Sequence, residues 1–133
     1  MADEKIARFE LQREYFNKAL ARVKEALAEN EADYVRDAIV LRFEFTFEMA
    51  WKTMFRYLTD KGEEVAKKAW AVIPVAFESR LITDAEVWDK LRKYRNHLSH
   101  EYNEASSIEM VAYIREHGIV ALEALADELK NRK

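Results

Sequence analysis

The sequence predicts an all-α protein of about five helices. Among 133 residues there are only two glycines and one proline, whereas half of the residues are apolar and 35% are charged. A sheet protein with many tight turns uses more glycine and proline than this. Apolar residues also recur at spacings of three and four over long stretches, which is the period of a helix. A chain of this length fits one core, so residues 1–133 are interpreted as a single domain.

Two long apolar stripes predict the first two helices. The first runs from about Asp3 to Glu29, with Arg13 as its one polar interruption. The second is broader and ends near Gly62, a residue type that often follows the last turn of a helix. Charged residues at four-residue steps are interpreted as its solvent side: Glu44, Glu48, Lys52 and Arg56.

The remaining helices are shorter or interrupted. The third, from about Lys67 to Ser79, contains Pro74, which removes a backbone hydrogen bond, so we expect a kinked or short helix. Thr83 and Ser106 are each followed three residues later by glutamate, and this capping-box pattern predicts the starts of the fourth and fifth helices. Gly118 interrupts the fifth helix and indicates either a close helix approach or a bend.

Composition excludes several classes of protein. The amino terminus lacks the apolar run of a signal peptide, and the longest apolar stretch is far shorter than the roughly 20 residues that span a bilayer. With no cysteine and this start, we expect a cytoplasmic protein that does not engage the membrane. The Glu-x-x-His spacing of di-iron bundles is missing, as are phosphate-loop, dinucleotide and serine-hydrolase motifs. We therefore expect no metal and no other cofactor.

The most informative stretch of the chain is residues 95–102, Arg-Asn-His-Leu-Ser-His-Glu-Tyr. Arg95 keeps its charge at any biological pH and binds phosphate oxygens with a planar fork. His100 can take or give a proton near pH 6.5, and Tyr102 adds a phenol hydroxyl. A fixed cation and a group that titrates near neutrality are what cleavage of RNA without a metal requires.

The net charge of −3 argues against a protein that coats nucleic acid with its whole surface, but the charge is unevenly distributed. Between Lys90 and His100 there are four basic residues and two histidines, and no acid. This local patch favours a contact with nucleic acid. The alternative is structural, because acids at the start of a helix and bases at its end are what the helix dipole favours.

Helix geometry limits how the motif can assemble. In a straight helix, Arg95 and His100 would lie roughly 140° apart around the axis, too far to share one phosphate. Either the fourth helix ends near Leu98, or the site forms between two subunits. We expect both, with the helix ending near the histidine and two copies of the motif facing each other across a twofold axis. An extended segment beyond His100 would put Tyr102 on the same side as that histidine.

The chain resembles the HEPN superfamily, specifically its HepT-like group and the nucleotidyltransferase substrate-binding protein family. The likeness rests on the Arg-x4-His-x-Tyr spacing of Arg95, His100 and Tyr102, and on two longer blocks. One block is residues 42–53; the other is residues 81–84, continued by Trp88 and residues 95–103. There are two departures. The family usually has glycine where this chain has Arg80, and its proline starts the third helix rather than lying at Pro74.

The resemblance implies an antiparallel up-and-down helical bundle that forms a homodimer and works with a separately encoded minimal nucleotidyltransferase. This chain is not that enzyme, because the family of transferases needs a Gly-Ser turn, and here Glu63 and Ile119 follow the two glycines. In related two-gene toxin–antitoxin modules, the HEPN protein is a ribonuclease toxin, and the transferase silences it by placing AMP on the tyrosine of the motif. Carried over, the modified residue is Tyr102.

Two functions follow as expectations. In the first, the chain is an interaction module that presents a nucleotide or Tyr102 to the transferase. In the second, it is a metal-independent endoribonuclease in which His100 takes the proton of a ribose 2′-hydroxyl and Arg95 stabilises the phosphorane, with Asn96 in a supporting role. A third interpretation stays open beside them: Arg95 and His100 would only cap a helix end.

Overall fold

A computed structural model describes residues 2–97 and 103–132 of the chain. Its helices are α1 (Ala2–Leu27), α2 (Asp33–Asp60), α3 (Ala69–Glu78), α4 (Ala85–His97), α5 (Glu104–Tyr113) and α6 (Ile119–Asn131). A π-helical turn, Ile114–Gly118, joins α5 to α6, so these two form the fifth helical rod. The described residues contain no strand. The prediction of an all-α helical bundle with five rods is confirmed.

Helices α1 and α2 form a long antiparallel hairpin at one side of the bundle. Arg42 donates to the carbonyl oxygen of Arg22 at 2.9 Å near one end of the hairpin. Toward the other end, the Thr53 hydroxyl lies 3.4 Å from the carbonyl oxygen of Gln12. Their apolar faces meet the remaining helices in one core, whose largest fully buried side chains include Phe16, Phe43, Phe47, Trp88, Leu91, Ile114 and Leu122. Each such side chain contributes about 1.5–3 kcal/mol by leaving water.

The packing of α4 against α2 matters most for the site. Trp88 of α4 is 1% exposed, and its ring centroid lies 6.0 Å from that of Phe47 on α2. On the other side of α4, Leu91 is fully buried, and a Cβ built on Gly118 would lie 3.1 Å from its Cδ2 atom. Gly118 is therefore a point of close helix approach, and the π-helical turn ends at it. Of the two alternatives for this glycine, the close approach is confirmed.

Two helices end in the same hydrogen-bonding pattern. After α2, the amides of Gly62 and Glu63 donate to the carbonyls of Thr59 and Leu58, and Gly62 has a φ of 94°. After α3, the amides of Arg80 and Leu81 donate in the same way to the carbonyls of Phe77 and Ala76. The left-handed position there is Arg80, with a φ of 63°. Both ends are Schellman motifs.

The helix starts differ by a residue or more from the capping boxes read in the sequence. At α4, the Asp84 carboxylate accepts from the amide of Val87 at 3.3 Å, so Asp84 rather than Thr83 is the cap. At α5, Asn103 is the N-cap, and Ser106 occupies the N3 position of the box instead of its N-cap position. Aspartate and asparagine cap as well as serine and threonine, which explains the shift. The third helix is short, at ten residues, with the exposed Pro74 inside it.

Within the described part of the chain, every helix is too short or too polar to cross a bilayer.

Candidate functional site

Arg95 lies on α4 and points toward α2, where two glutamates lie beside its guanidinium. Its Nη1 atom is 3.9 Å from Oε1 of Glu44, and its Nη2 atom is 3.7 Å from Oε1 of Glu48. All three side chains are about 30% exposed. These separations exceed a hydrogen bond, so the carboxylates orient the guanidinium mainly by charge.

The helices dictate this arrangement. Arg95 follows Trp88 by seven residues, which places the two side chains within about 20° of each other around α4. Because Trp88 packs on Phe47, the same face of α4 brings Arg95 to α2 about two turns further along. Glu44 and Glu48 are four residues apart on α2 and therefore project to the same side. The buried aromatic contact thus fixes where the cation stands.

The guanidinium keeps donor capacity at this position. Its Nε atom is buried and has no hydrogen-bond acceptor among the residues that the structure describes. Its two terminal nitrogens lie at ion-pair distance from the glutamates, while the side chain retains 30% exposure. Such a group can bind a phosphate oxygen from the solvent side, since arginine presents five donors in a rigid fork.

Glu44 and Glu48 are the part of this site that the sequence interpretation did not assign to it. They were expected on the solvent side of α2, and each keeps about 30% exposure there while it pairs with Arg95 of α4. A signal was available, because both lie in the block of residues 42–53 that carries the family resemblance. Their pairing with Arg95 could not be deduced, since periodicity gives the face of a helix but not its neighbour.

The basic residues before Arg95 do not share its surroundings. Arg92 and Lys93 both pair with Asp89, at 2.9 Å and 3.1 Å, and the hydrogen bond from Arg92, followed by that from Lys93, lowers the pKa of Asp89. Lys90 lies over the ring of Tyr113, 4.8 Å from its centroid. The described basic residues of the patch are therefore divided into local pairs along α4, and these residues do not form one cationic surface around Arg95.

A groove of about 580 Å³ lies between α4 and α5. Tyr94 lines it, and its hydroxyl donates to Glu109 at 3.1 Å. Burial, with a further contribution from Glu109, raises the pKa of Tyr94 to about 12. Lys90 and Lys93 also line the groove. On α4 these two lysines are roughly 140–160° from Arg95, so the groove opens on the opposite side of the helix.

The structure describes only some of the other predicted site residues. Asn96 follows Arg95 on α4 and is exposed. His100 and Tyr102 lie outside the described residues, and so does the side chain of His97. The chain is described again from Asn103, which caps α5 and directly follows the position of Tyr102. The structure thus joins Arg95 to Glu44 and Glu48, while its relation to His100 and Tyr102 stays a prediction.

A family model described as nucleotidyltransferase substrate binding protein like matches residues 8–131. The chain belongs to this family. It is also similar to a protein from Thermus thermophilus with a known crystal structure, at 31% sequence identity and a TM-score of 0.78. That similarity covers 87% of this chain and 99% of the other. No curated protein matches the chain. The resemblance read from the sequence motifs is confirmed, and the crystal structure agrees with the helical bundle.

Proposed function

We propose that this family member is the helical partner of a separately encoded minimal nucleotidyltransferase. In this proposal the two proteins form a toxin–antitoxin-type module in the cytoplasm, and the family member is a homodimer. The observation that carries the proposal is the family match, which spans nearly the whole chain. The motif of Arg95, His100 and Tyr102 would be the surface that binds RNA or a nucleotide.

The surroundings of Arg95 support a role in binding phosphate. A cation that served only to cap α4 would need no partner on α2, whereas here two glutamates of α2 stand beside it. Their ion-pair distances fix the direction of the guanidinium without enclosing it. A phosphodiester that approached from solvent would meet an arginine already oriented, which lowers the cost of ordering that side chain on binding.

Incubation with the transferase tests the partner role. The probe is the minimal nucleotidyltransferase encoded beside this chain, recognised by its Gly-Ser turn and paired aspartates, with ATP and Mg²⁺. We expect a stable complex, and a mass increase of one AMP on the peptide that contains Tyr102. In that reaction the phenol oxygen bonds to the α-phosphorus of ATP and pyrophosphate leaves. Tyr102→Phe should bind the transferase and gain no AMP on that peptide. A wild-type chain that fails to bind the transferase contradicts the proposal.

The second candidate is a metal-independent endoribonuclease that the transferase silences. Here His100 removes the proton of a ribose 2′-hydroxyl, and the 2′-oxygen attacks the adjacent phosphorus. Arg95 stabilises the charge on the phosphorane oxygens. The bond from phosphorus to the 5′-oxygen breaks, and this oxygen takes a proton from water or from the partner subunit's histidine. The product is a 2′,3′-cyclic phosphate. AMP on Tyr102 would add negative charge beside Arg95 and His100 and would block RNA.

RNA cleavage in the presence of EDTA separates the two candidates. Arg95→Ala and His100→Ala should lose cleavage if the nuclease interpretation holds. Arg92→Ala is the matched control, because Arg92 lies one turn earlier on α4 and pairs with Asp89 within that helix. It should keep wild-type cleavage. Intact RNA with the wild-type chain, together with tight binding to the transferase, would leave the interaction module as the function.

A further inference from the structure

Helix α2 exposes a row of apolar side chains on the face that points away from the core. Tyr34, Leu41 and Phe45 are 77%, 68% and 58% exposed. Ala38 lies between the first two, and Glu48 and Lys52 continue the row beyond Phe45. We call these six residues the α2 seam. They follow one another at steps of four, three, four, three and four residues, which is the heptad spacing of helices that pair with another helix.

The neighbouring helices flank the seam and do not cover it. Arg42 bonds to α1 on one side, and Glu44 reaches Arg95 of α4 on the other. The seam lies between these two contacts and spans about 27 Å along the helix axis. Single exposed apolar residues are ordinary on a protein surface, but a continuous stripe at heptad spacing marks a surface that binds a partner.

We propose that the α2 seam binds the α2 seam of a second copy of this chain, with the two helices antiparallel. In the register that aligns the six residues, Leu41 of each copy packs against Phe45 of the other. Ala38 then faces Glu48. At both ends Tyr34 meets Lys52, and the ammonium group can lie over the phenol ring as a cation–π pair. The seam is therefore complementary to itself, which an interface across a twofold axis requires.

The charged half of the seam decides the orientation. In a parallel pair, Glu48 would face its own copy and Lys52 would do the same, so like charges would be opposed at the interface. In the antiparallel pair, the two copies of Glu48 lie several turns apart, and so do the two copies of Lys52. The exposed Tyr15 of α1 lies one turn from Gln12, whose side chain contacts Met49 of α2. It can widen the contact toward the roughly 1,600 Å² that a stable complex buries.

This orientation has a consequence for Arg95. Glu48 belongs to the seam and also pairs with Arg95, so the guanidinium stands at the seam's edge. The twofold axis of an antiparallel pair keeps the same flank of each helix on the same side. Both Arg95 groups then open onto one surface, where a single RNA strand can meet them together; this step rests on the proposed function. A parallel pair would place the two groups on opposite sides.

Sedimentation velocity of the full chain tests the pairing over a series of concentrations. We expect a dimer, and we expect the charges introduced by Leu41→Glu with Phe45→Glu to raise its dissociation constant ~100-fold or more. Val120→Glu is the control, because Val120 is 63% exposed on α6, outside the seam. It should leave the dimer intact, and circular dichroism should show all variants folded. A monomeric wild-type chain overturns the proposal and leaves the seam to a protein of different sequence. A dimer that survives the seam charges also overturns it.

Cross-linking tests the orientation directly, because the chain has no cysteine. Tyr34→Cys protein is mixed with Lys52→Cys protein and treated with a short bifunctional maleimide. The antiparallel register predicts cross-links between the two different variants and almost none within either variant alone. Cross-links of Tyr34→Cys to itself would show a parallel pair and overturn the arrangement.

Binding of a short RNA oligonucleotide tests the shared surface separately. The monomeric seam variant should bind this RNA more weakly than wild type, whereas Val120→Glu should bind it normally. Unchanged RNA binding by the monomer overturns the shared Arg95 surface and leaves the dimer standing. If the wild-type dimer binds no RNA and no transferase, the proposed function fails, and the seam pairing is still supported by sedimentation and cross-linking.

Discussion

Arg132 donates through its Nη2 atom to the carbonyl oxygen of Arg80 at 3.0 Å. The same nitrogen lies 3.1 Å from the carbonyl oxygen of Ser79, and Glu128 holds the guanidinium through its Nε atom at 2.6 Å. The end of α6 is thereby fastened to the end of α3. These two carbonyls belong to the turn that leads into α4. Arg132 therefore stabilises the turn before the helix that carries Arg95.

Replacement of Arg132 by alanine should lower the free energy of unfolding by about 1–3 kcal/mol. The expected loss comes from charge-assisted hydrogen bonds to two carbonyls that would otherwise lack this donor. Urea unfolding followed by circular dichroism measures it. Lys130→Ala is the control, because Lys130 is exposed in the same turn of α6, and it should change stability little. Equal stability of the two variants would show that the hydrogen bonds of Arg132 contribute nothing to the free energy of unfolding.

Arg80→Gly should stabilise the protein by about 0.5–1 kcal/mol. Arg80 occupies the left-handed position of the Schellman motif after α3, where a side chain carries a steric cost that glycine avoids. Its bond to Arg132 uses the backbone carbonyl and survives the change. Gly62→Ala, at the equivalent position after α2, should shift the urea midpoint in the opposite direction. A lower midpoint for Arg80→Gly would mean that its side chain stabilises the turn in another way.

Gly118→Leu should destabilise the fold by about 1–3 kcal/mol, because even a Cβ would lie 3.1 Å from the fully buried Leu91. The damage should reach α4, since Leu91 lies in the middle of that helix. Thermal unfolding gives the size of the effect. Adding Leu91→Ala to this variant should recover part of the loss by making room, and the absence of any recovery would argue against a direct clash.

The sequence was sufficient to predict the helical fold, but it was not sufficient to predict the contacts of the site. Apolar periodicity located all five helical rods, since each must bury one stripe in the single core. Cap positions at Asp84 and Asn103 were missed because neighbouring polar residues cap almost equally well. The pairing of Arg95 with Glu44 and Glu48 depends on which helices become neighbours, and that is a property of the packed core. Gly118 was different, because a glycine inside an apolar helix already points to a close contact.

Neutralising the two glutamates should tighten RNA binding, if the proposed function holds. Glu44→Gln with Glu48→Gln removes two negative charges beside Arg95, so a phosphate oxygen meets less repulsion. We expect an affinity increase of roughly 3- to 10-fold at low salt, measured by fluorescence anisotropy with an RNA oligonucleotide. The control with the same change in net charge is Glu10→Gln with Glu14→Gln on α1, where the glutamates pair with Arg13 and Lys18. Equal tightening in both proteins would indicate an effect of net charge alone.

Tyr94→Phe should destabilise the protein near neutral pH, and the difference from wild type should shrink at alkaline pH. The pKa of Tyr94 is raised to about 12 in the fold by burial and by Glu109, compared with 10.0 ordinarily. The folded chain thus holds the phenol proton more tightly than the unfolded chain. The stability gained is complete below pH 10 and is lost as the pH rises toward 12. Unfolding midpoints of both proteins over this range measure it, and a constant difference would contradict the assignment.

The π-helical turn at residues 114–118 has an evolutionary consequence. A π turn holds one residue more than an α turn, so it absorbs an insertion within a helix without changing the direction of the parts on either side. Loss of that residue would restore a regular α turn with the core-facing leucines of α6 in place, whereas an extra residue kept within regular α-helix would rotate α6 by about 100° relative to α5. Homologues with an uninterrupted fifth helix should therefore show a one-residue gap here and keep the same apolar positions toward their carboxyl terminus.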